Sequence, residues 1–188
     1  MDKLVIDIET KNTFQDVGGY QNLTDLLISF VGVYSYKQGA YLSFFEHELD
    51  KLKTLLQNAG LIIGFSINRF DLPILNKHLN INLNAIDNID ILDDIEAKLG
   101  HRVGLDWLAQ TNLKIGKTGH GLEAIKLYKE GKLEELKNYC LQDVKLTKDL
   151  YELGLKQGHL LVPTNYGAEI TKVEFDWQER MPTLNTQT

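Results

Sequence analysis

Leu4-Val5-Ile6-Asp7-Ile8-Glu9-Thr10 is the stretch that decides the fold. Successive side chains of a strand point to opposite faces, so Leu4, Ile6 and Ile8 share one face and Val5, Asp7 and Glu9 the other. A strand that is apolar on both sides except at its end belongs in the middle of a sheet, covered above and below. Asp7 and Glu9 then project the same way, roughly 6–7 Å apart along the strand. They sit at its C-terminal end, where α/β sheets place their sites. Two carboxylates buried near each other are costly unless cations compensate, and hard divalent ions with oxygen ligands are the natural compensation. Such a pair also arises by chance on the surface of a chain with 26 acidic residues.

Two other stretches carry candidate chemistry. In Gly64-Phe65-Ser66-Ile67-Asn68-Arg69-Phe70-Asp71-Leu72-Pro73-Ile74-Leu75 a buried strand runs into a turn, and Asp71 opens the next helix. Asp71 is either a helix cap or a site carboxylate; the segment alone leaves both open. Tyr139 and Asp143 are four residues apart on a helix and so face one way, flanking its apolar stripe. They are either a half-buried tyrosine beside a solvated acid or a pair reaching a site at the sheet end.

The elements around these stretches alternate. Ile28 to Tyr36 and Ala40 to Phe45, joined by Lys37-Gln38-Gly39, form a hairpin. Leu49, Leu52, Leu55, Leu56 and Ala59 fall at helical spacing, with Gly60 as the expected stop. Leu61 to Phe65 is a buried strand, Phe70 to Leu79 a helix and Ile89 to Ile91 a short strand. Leu105 to Gln110, Gly121 to Lys129 and residues 132–155 are helices, the last with a stripe of Leu133, Leu136, Cys140, Val144 and Tyr151. Leu160 to Val162 and Thr171 to Trp177 are strands. Trp107 and Trp177 are expected as core anchors, and Phe70 as a packing residue that positions Asp71. The expectation is an α/β fold: a mixed sheet with its first strand central and helices on its faces. One domain spans 1–180, with 158–178 a C-terminal strand pair and 181–188 a loose tail.

Composition narrows the function classes. The chain has 188 residues, 43% of them hydrophobic, enough for one sizeable core. No apolar run approaches the ~18 residues of a membrane span, so no membrane crossing is expected. The N-terminal MDKLVIDIETK lacks a charged-then-apolar leader, and the lone Cys140 suits a reducing compartment, so a cytoplasmic, intracellular protein is expected. The formal net charge of −6 excludes partner binding by overall positive charge. Nucleic acid held locally by metal ions and a few lysines stays open. Between Lys114 and Lys148 there are 8 lysines against 5 acids. There, Lys114, Lys117 and His120 accompany the glycine-punctuated stretch 116–121, either a phosphate-binding loop or a solvated connection. The five histidines show no zinc spacing.

Taken together, Asp7 and Glu9, Asp71 within F-D-x-P-x-L, and Tyr139 with Asp143 make the sequence resemble the DEDD superfamily of 3′–5′ exonucleases on the RNase H-like fold. The resemblance spans about residues 3–156. It looks like the tyrosine (DEDDy) branch, nearest the exonuclease domains of family B DNA polymerases and stand-alone bacterial relatives. The histidine branch would need a histidine where Asn138 stands. The resemblance implies an RNase H-like sheet with central parallel strands and an antiparallel hairpin. It implies two divalent ions, Mg²⁺ or Mn²⁺, held by Asp7, Glu9, Asp71 and Asp143, with Tyr139 orienting the attacking water. The partner it implies is the 3′ end of single-stranded DNA or RNA, DNA the likelier, cleaved to nucleoside 5′-monophosphates. Thr10 stands where relatives contact the terminal nucleotide. Ser66 stands where polymerase-type relatives usually carry asparagine, and Asn68 is the expected substitute. With Lys117 and His120, Thr10 and Asn68 complete the expected substrate contacts. Two other classes remain at this stage: a binding or assembly module with lost activity, and an RNase H-type endonuclease.

Overall fold

A computed structural model describes residues 1–115, 121–164 and 169–177. Lys117 and His120, the phosphate-loop candidates, and the expected tail lie outside the described residues. Five strands form one sheet: β1 (Asp2–Thr10), β2 (Ile28–Ser35), β3 (Ala40–Phe45), β4 (Ala59–Gly64) and β5 (Asn88–Asp90), in the order β3-β2-β1-β4-β5. β1 is central, antiparallel to β2 and parallel to β4, and β5 adds a second parallel pair. The mixed sheet with an antiparallel hairpin on one side and parallel strands on the other agrees with the sequence expectation.

Both faces of β1 are covered, as its alternation requires. Leu4, Ile6 and Ile8 pack with Leu52 and Leu56 of α1 (Leu49–Gln57) and Ile74 and Leu75 of α2 (Asp71–Leu79). Val5 packs on the opposite face with Leu61, Ile63, Ile89 and, from α6 (Leu133–Gln157), Val144, Leu150 and Tyr151. Asp7 and Glu9 follow Val5 on this second face and so emerge toward α6. Three more helices, α3 (Ile91–Leu99), α4 (Leu105–Leu113) and α5 (Gly121–Lys129), complete the covering layers.

Several local expectations change. Gly60 does not stop α1; the helix ends at Asn58, and Gly60 lies inside β4. Pairing of Ala59 with Asp2 recruits this segment into the sheet, so the last helical residue is Gln57, two residues before the Ala59 that helical periodicity implies. α3 was not expected from the pattern, although Asp90 caps its start and Gly100 closes it in the left-handed conformation. Leu133 is exposed, and the buried stripe of α6 continues through Thr147, Leu150 and Gly154 instead. Trp177 is buried as expected, but Trp107 is 56% exposed and anchors no core. β6 (His159–Thr164) and β7 (Glu169–Glu174) form a separate two-stranded antiparallel sheet. Among the described residues no helix is long and apolar enough to cross a membrane.

Candidate active site

β1 outruns its parallel neighbour. Its last pair with β4 is Val5 opposite Ile63, after which β4 ends at Gly64 and the chain turns through Ser66, at φ +68°. The Ile8 N–H on that side has no strand partner left. It donates to Asp71 Oδ1 at 3.0 Å, a buried hydrogen bond across 63 residues. Asp71 opens α2, whose N-cap is Phe70. The cap alternative is therefore set aside: the carboxylate is spent on β1, beside Asp7. Burial first, and then the charge of Asp7, push the Asp71 carboxyl well above the usual carboxylate range, against the lowering effect of the Ile8 N–H.

α6 lays Tyr139, Cys140 and Asp143 over the same strand end. The Cys140 thiol donates to Asp7 Oδ2 at 3.2 Å and approaches the Asp7 carbonyl at 3.4 Å. Burial and the neighbouring charges of Asp7, Glu9 and Asp143 raise its pKa strongly, so the thiol stays protonated. Potential ligand atoms of Asp7, Glu9 and Cys140 lie within 4.8 Å of one another. Glu9, Asp71 and Asp143 are 8%, 4% and 4% exposed.

Asp7, Glu9, Asp71, Tyr139, Asp143 and Thr10 all line one cavity of about 830 Å³ at the C-terminal end of β1. Six groups from three distant stretches thus meet in one place. Asn68 does not join them. Its backbone N–H donates to Asp90 Oδ2 and its side chain to Asp93 Oδ2, which hold it against the start of α3 and outside the cavity lining. Ser66 faces the cavity instead and accepts from Arg102 Nη2 at 2.8 Å.

Pattern reading missed part of the lining: Asn12, Thr13, Phe14, Tyr20 and Arg102. Residues 11–27 show neither helical nor strand periodicity. The available signal was two aromatics, Phe14 and Tyr20, in a polar, glycine-bearing connection directly after the acidic pair. Asp90 was also missed; it accepts from Ser66, Asn68, Leu92 and Asp93 backbone N–H groups and organises the turn before Asp71.

The donor set fits hard divalent ions. It offers four carboxylates, three of them almost fully buried, around one space in which burial first, and then the charge of Asp7, already hold Asp71 toward its neutral form. The thiol of Cys140 is too soft to be a preferred ligand for such ions and acts here as a hydrogen-bond donor to Asp7.

A family model described as the RNase_H superfamily matches residues 4–154. No curated protein matches the chain by sequence. Among solved structures, the family B DNA polymerase from the hyperthermophilic archaeon Pyrobaculum calidifontis superposes with a TM-score of 0.65 at 18% identity. The match covers 82% of this chain and 24% of that polymerase, so this chain corresponds to about a quarter of its length. At that identity the likeness establishes a shared fold.

Proposed function

Because the chain belongs to the RNase_H superfamily, we propose that it is a metal-dependent 3′–5′ exonuclease of the tyrosine DEDD branch. It removes nucleoside 5′-monophosphates from the 3′ end of a single strand, DNA in preference to RNA. The observation that carries this reading is the convergence of Asp7, Glu9, Asp71, Asp143 and Tyr139 on one cavity.

Asp7 lies beside Glu9, and its charge acts on Asp71; it would help hold both ions, Glu9 and Asp143 one and Asp71 the other. Two Mg²⁺ or Mn²⁺ ions held there would supply Lewis-acid chemistry for a water and for the leaving oxygen. The chain's own part is positional. The Ile8 N–H fixes the Asp71 carboxylate, and the Cys140 thiol fixes that of Asp7. Tyr139 would donate a hydrogen bond that orients the attacking water. Thr10 contacts the terminal nucleotide from the end of β1.

The test is a 5′-labelled single strand, DNA and RNA in parallel, with Mg²⁺ or Mn²⁺. A ladder shortening from the 3′ end is expected. Asp7→Asn abolishes it, and Tyr139→Phe slows turnover by ~10–100-fold, the scale of losing one transition-state donor. Internal cuts would replace this reading with an endonuclease, and binding without cleavage with a binding module.

A further inference from the structure

The five-stranded sheet ends on two very different edges. β5 is three residues long and finishes on Asp90. β3, at the other end, is six residues long, Ala40-Tyr41-Leu42-Ser43-Phe44-Phe45, with neither a charge nor a proline. Short length, charge, proline and bulges are the devices that keep an edge strand from pairing with another chain. β3 has none of them: its register with β2 is unbroken from Ser35–Ala40 to Phe30–Phe45.

The outer groups of β3 are open. Phe45 N–H donates to Glu48 Oε2 at 3.3 Å, so it points away from β2. Successive N–H groups of a strand alternate in direction, so those of Tyr41 and Ser43 point outward as well. Among the described residues, no backbone hydrogen bond reaches Tyr41 or Ser43 from beyond the ladder with β2.

The side chains around this edge select its partner. Tyr41, 40% exposed, shares the α6 face with Tyr34, ring to ring at 4.8 Å. Leu42 and Phe44 pack into the core on the opposite face. An added strand therefore meets apolar side chains on both sides. Lys37 precedes β3, and Glu46 and Glu48 follow it. Glu46 is paired with Lys11 and Glu48 with Lys51, while Lys37 has no ion pair among the described residues. A second β3 laid antiparallel brings the Lys37 end of each copy against the Glu46 and Glu48 end of the other. A parallel copy would set like charges together. The edge is thus self-complementary in the arrangement that a two-fold axis produces.

We propose that β3 is a homodimer interface: two copies of the chain pair antiparallel through the outer edges of β3, about a two-fold axis beside Ser43, into one continuous sheet. Tyr41 and Ser43 of each copy supply the N–H and C=O groups that join them. Asp7, Gly32 and Ser43 lie level across the sheet. The pairing therefore sets the two β1 strands five strand spacings apart, roughly 24 Å, with both sets of β1 carboxylates on the α6 face. It is independent of the chemistry performed in the cavity.

Sedimentation velocity of the wild-type chain from about 1 to 300 μM spans the affinities of small interfaces and is expected to show monomer converting to dimer. Ser43→Lys and Ser43→Glu set like charges beside the axis. Each alone is expected to stay monomeric, and an equimolar mixture of the two recovers the dimer. Circular dichroism checks that both variants are folded. Hydrogen exchange on the wild-type chain needs no variant: the Tyr41 and Ser43 amides are expected to slow by at least ~5-fold between the two ends of that concentration range. Monomer at every concentration, a dimer that persists in both Ser43 variants, failure of the folded variants to associate on mixing, or unchanged exchange at Tyr41 and Ser43 would each overturn the interface.

Discussion

At the scale of single residues, Asp71 concentrates the electrostatics of the site. Its folded carboxyl holds a proton more tightly than the unfolded side chain, whose pKa is about 3.9. Between those two values the folded protein binds more protons than the unfolded one. Stability of the metal-free protein therefore falls as pH rises through that window and recovers as pH falls. Asp71→Asn keeps an oxygen for the Ile8 N–H and removes the charge. In EDTA its melting temperature is expected to exceed wild type at pH 7, with the two curves converging near pH ~4. Equal melting temperatures across that range would mean the buried carboxyl carries no charge strain. Mg²⁺ should raise the wild-type melting temperature more than that of the variant, by linkage to a site that loses one of its ligands. The acidic residues were legible in the sequence because strand and helix periodicity alone place Asp7 with Glu9 and Tyr139 with Asp143. Asn68 was not, because its direction depends on Asp90 and Asp93, which arrive from another element.

At the scale of elements, the close approach of α6 to the sheet decides whether the two halves of the site meet. Gly32 pairs with Asp7 across β1 and β2. A Cβ at Gly32 would lie 3.0 Å from Cys140 Sγ and 3.0 Å from Val144 Cγ2, both on α6. The missing side chain thus lets the helix settle directly over the strand end, with Tyr139 and Asp143 on either side of Cys140. Gly32→Val should push α6 outward. The expected cost is ~1–3 kcal/mol of stability, typical of overpacking a tight core. Under folding conditions kcat should fall, because Tyr139 and Asp143 move away from β1 with the helix. Thermal melts with single-turnover kinetics read both effects, and wild-type turnover in a stably folded Gly32→Val would remove the helix approach from the argument. The existence of this helix and of β1 was readable from local pattern. Their separation was not, because a glycine in an apolar strand looks the same whether it faces solvent or a helix.

At the scale of the whole molecule, the acidic cavity and the C-terminal strand pair are separate. No described residue of β6 or β7 lines the cavity. The pair instead closes the second core, with Leu160, Val162, Val173 and Trp177 buried alongside α6 residues. Trp177 lies where a Cβ on Gly154 would collide with its ring at 2.4 Å, and its indole N–H donates to Asp94 Oδ2 at 2.7 Å. Asn112 on α4 ties the pair down from the other side through two hydrogen bonds to the Leu161 backbone. Thr171, Val173, Phe175 and Trp177 alternate with Lys172, Glu174 and Asp176, and that pattern marks which side chains are inside but neither the end of β7 at Glu174 nor the sheet it joins. This division predicts a mutation that damages stability without touching chemistry. Trp177→Ala should cost ~3–5 kcal/mol, the range for truncating a buried aromatic. Its kcat and KM should stay at wild-type values at temperatures where circular dichroism shows it folded. A fall in kcat within that folded range would show that the C-terminal strands reach the site through α6, and the two ends of the molecule would have to be treated as one unit.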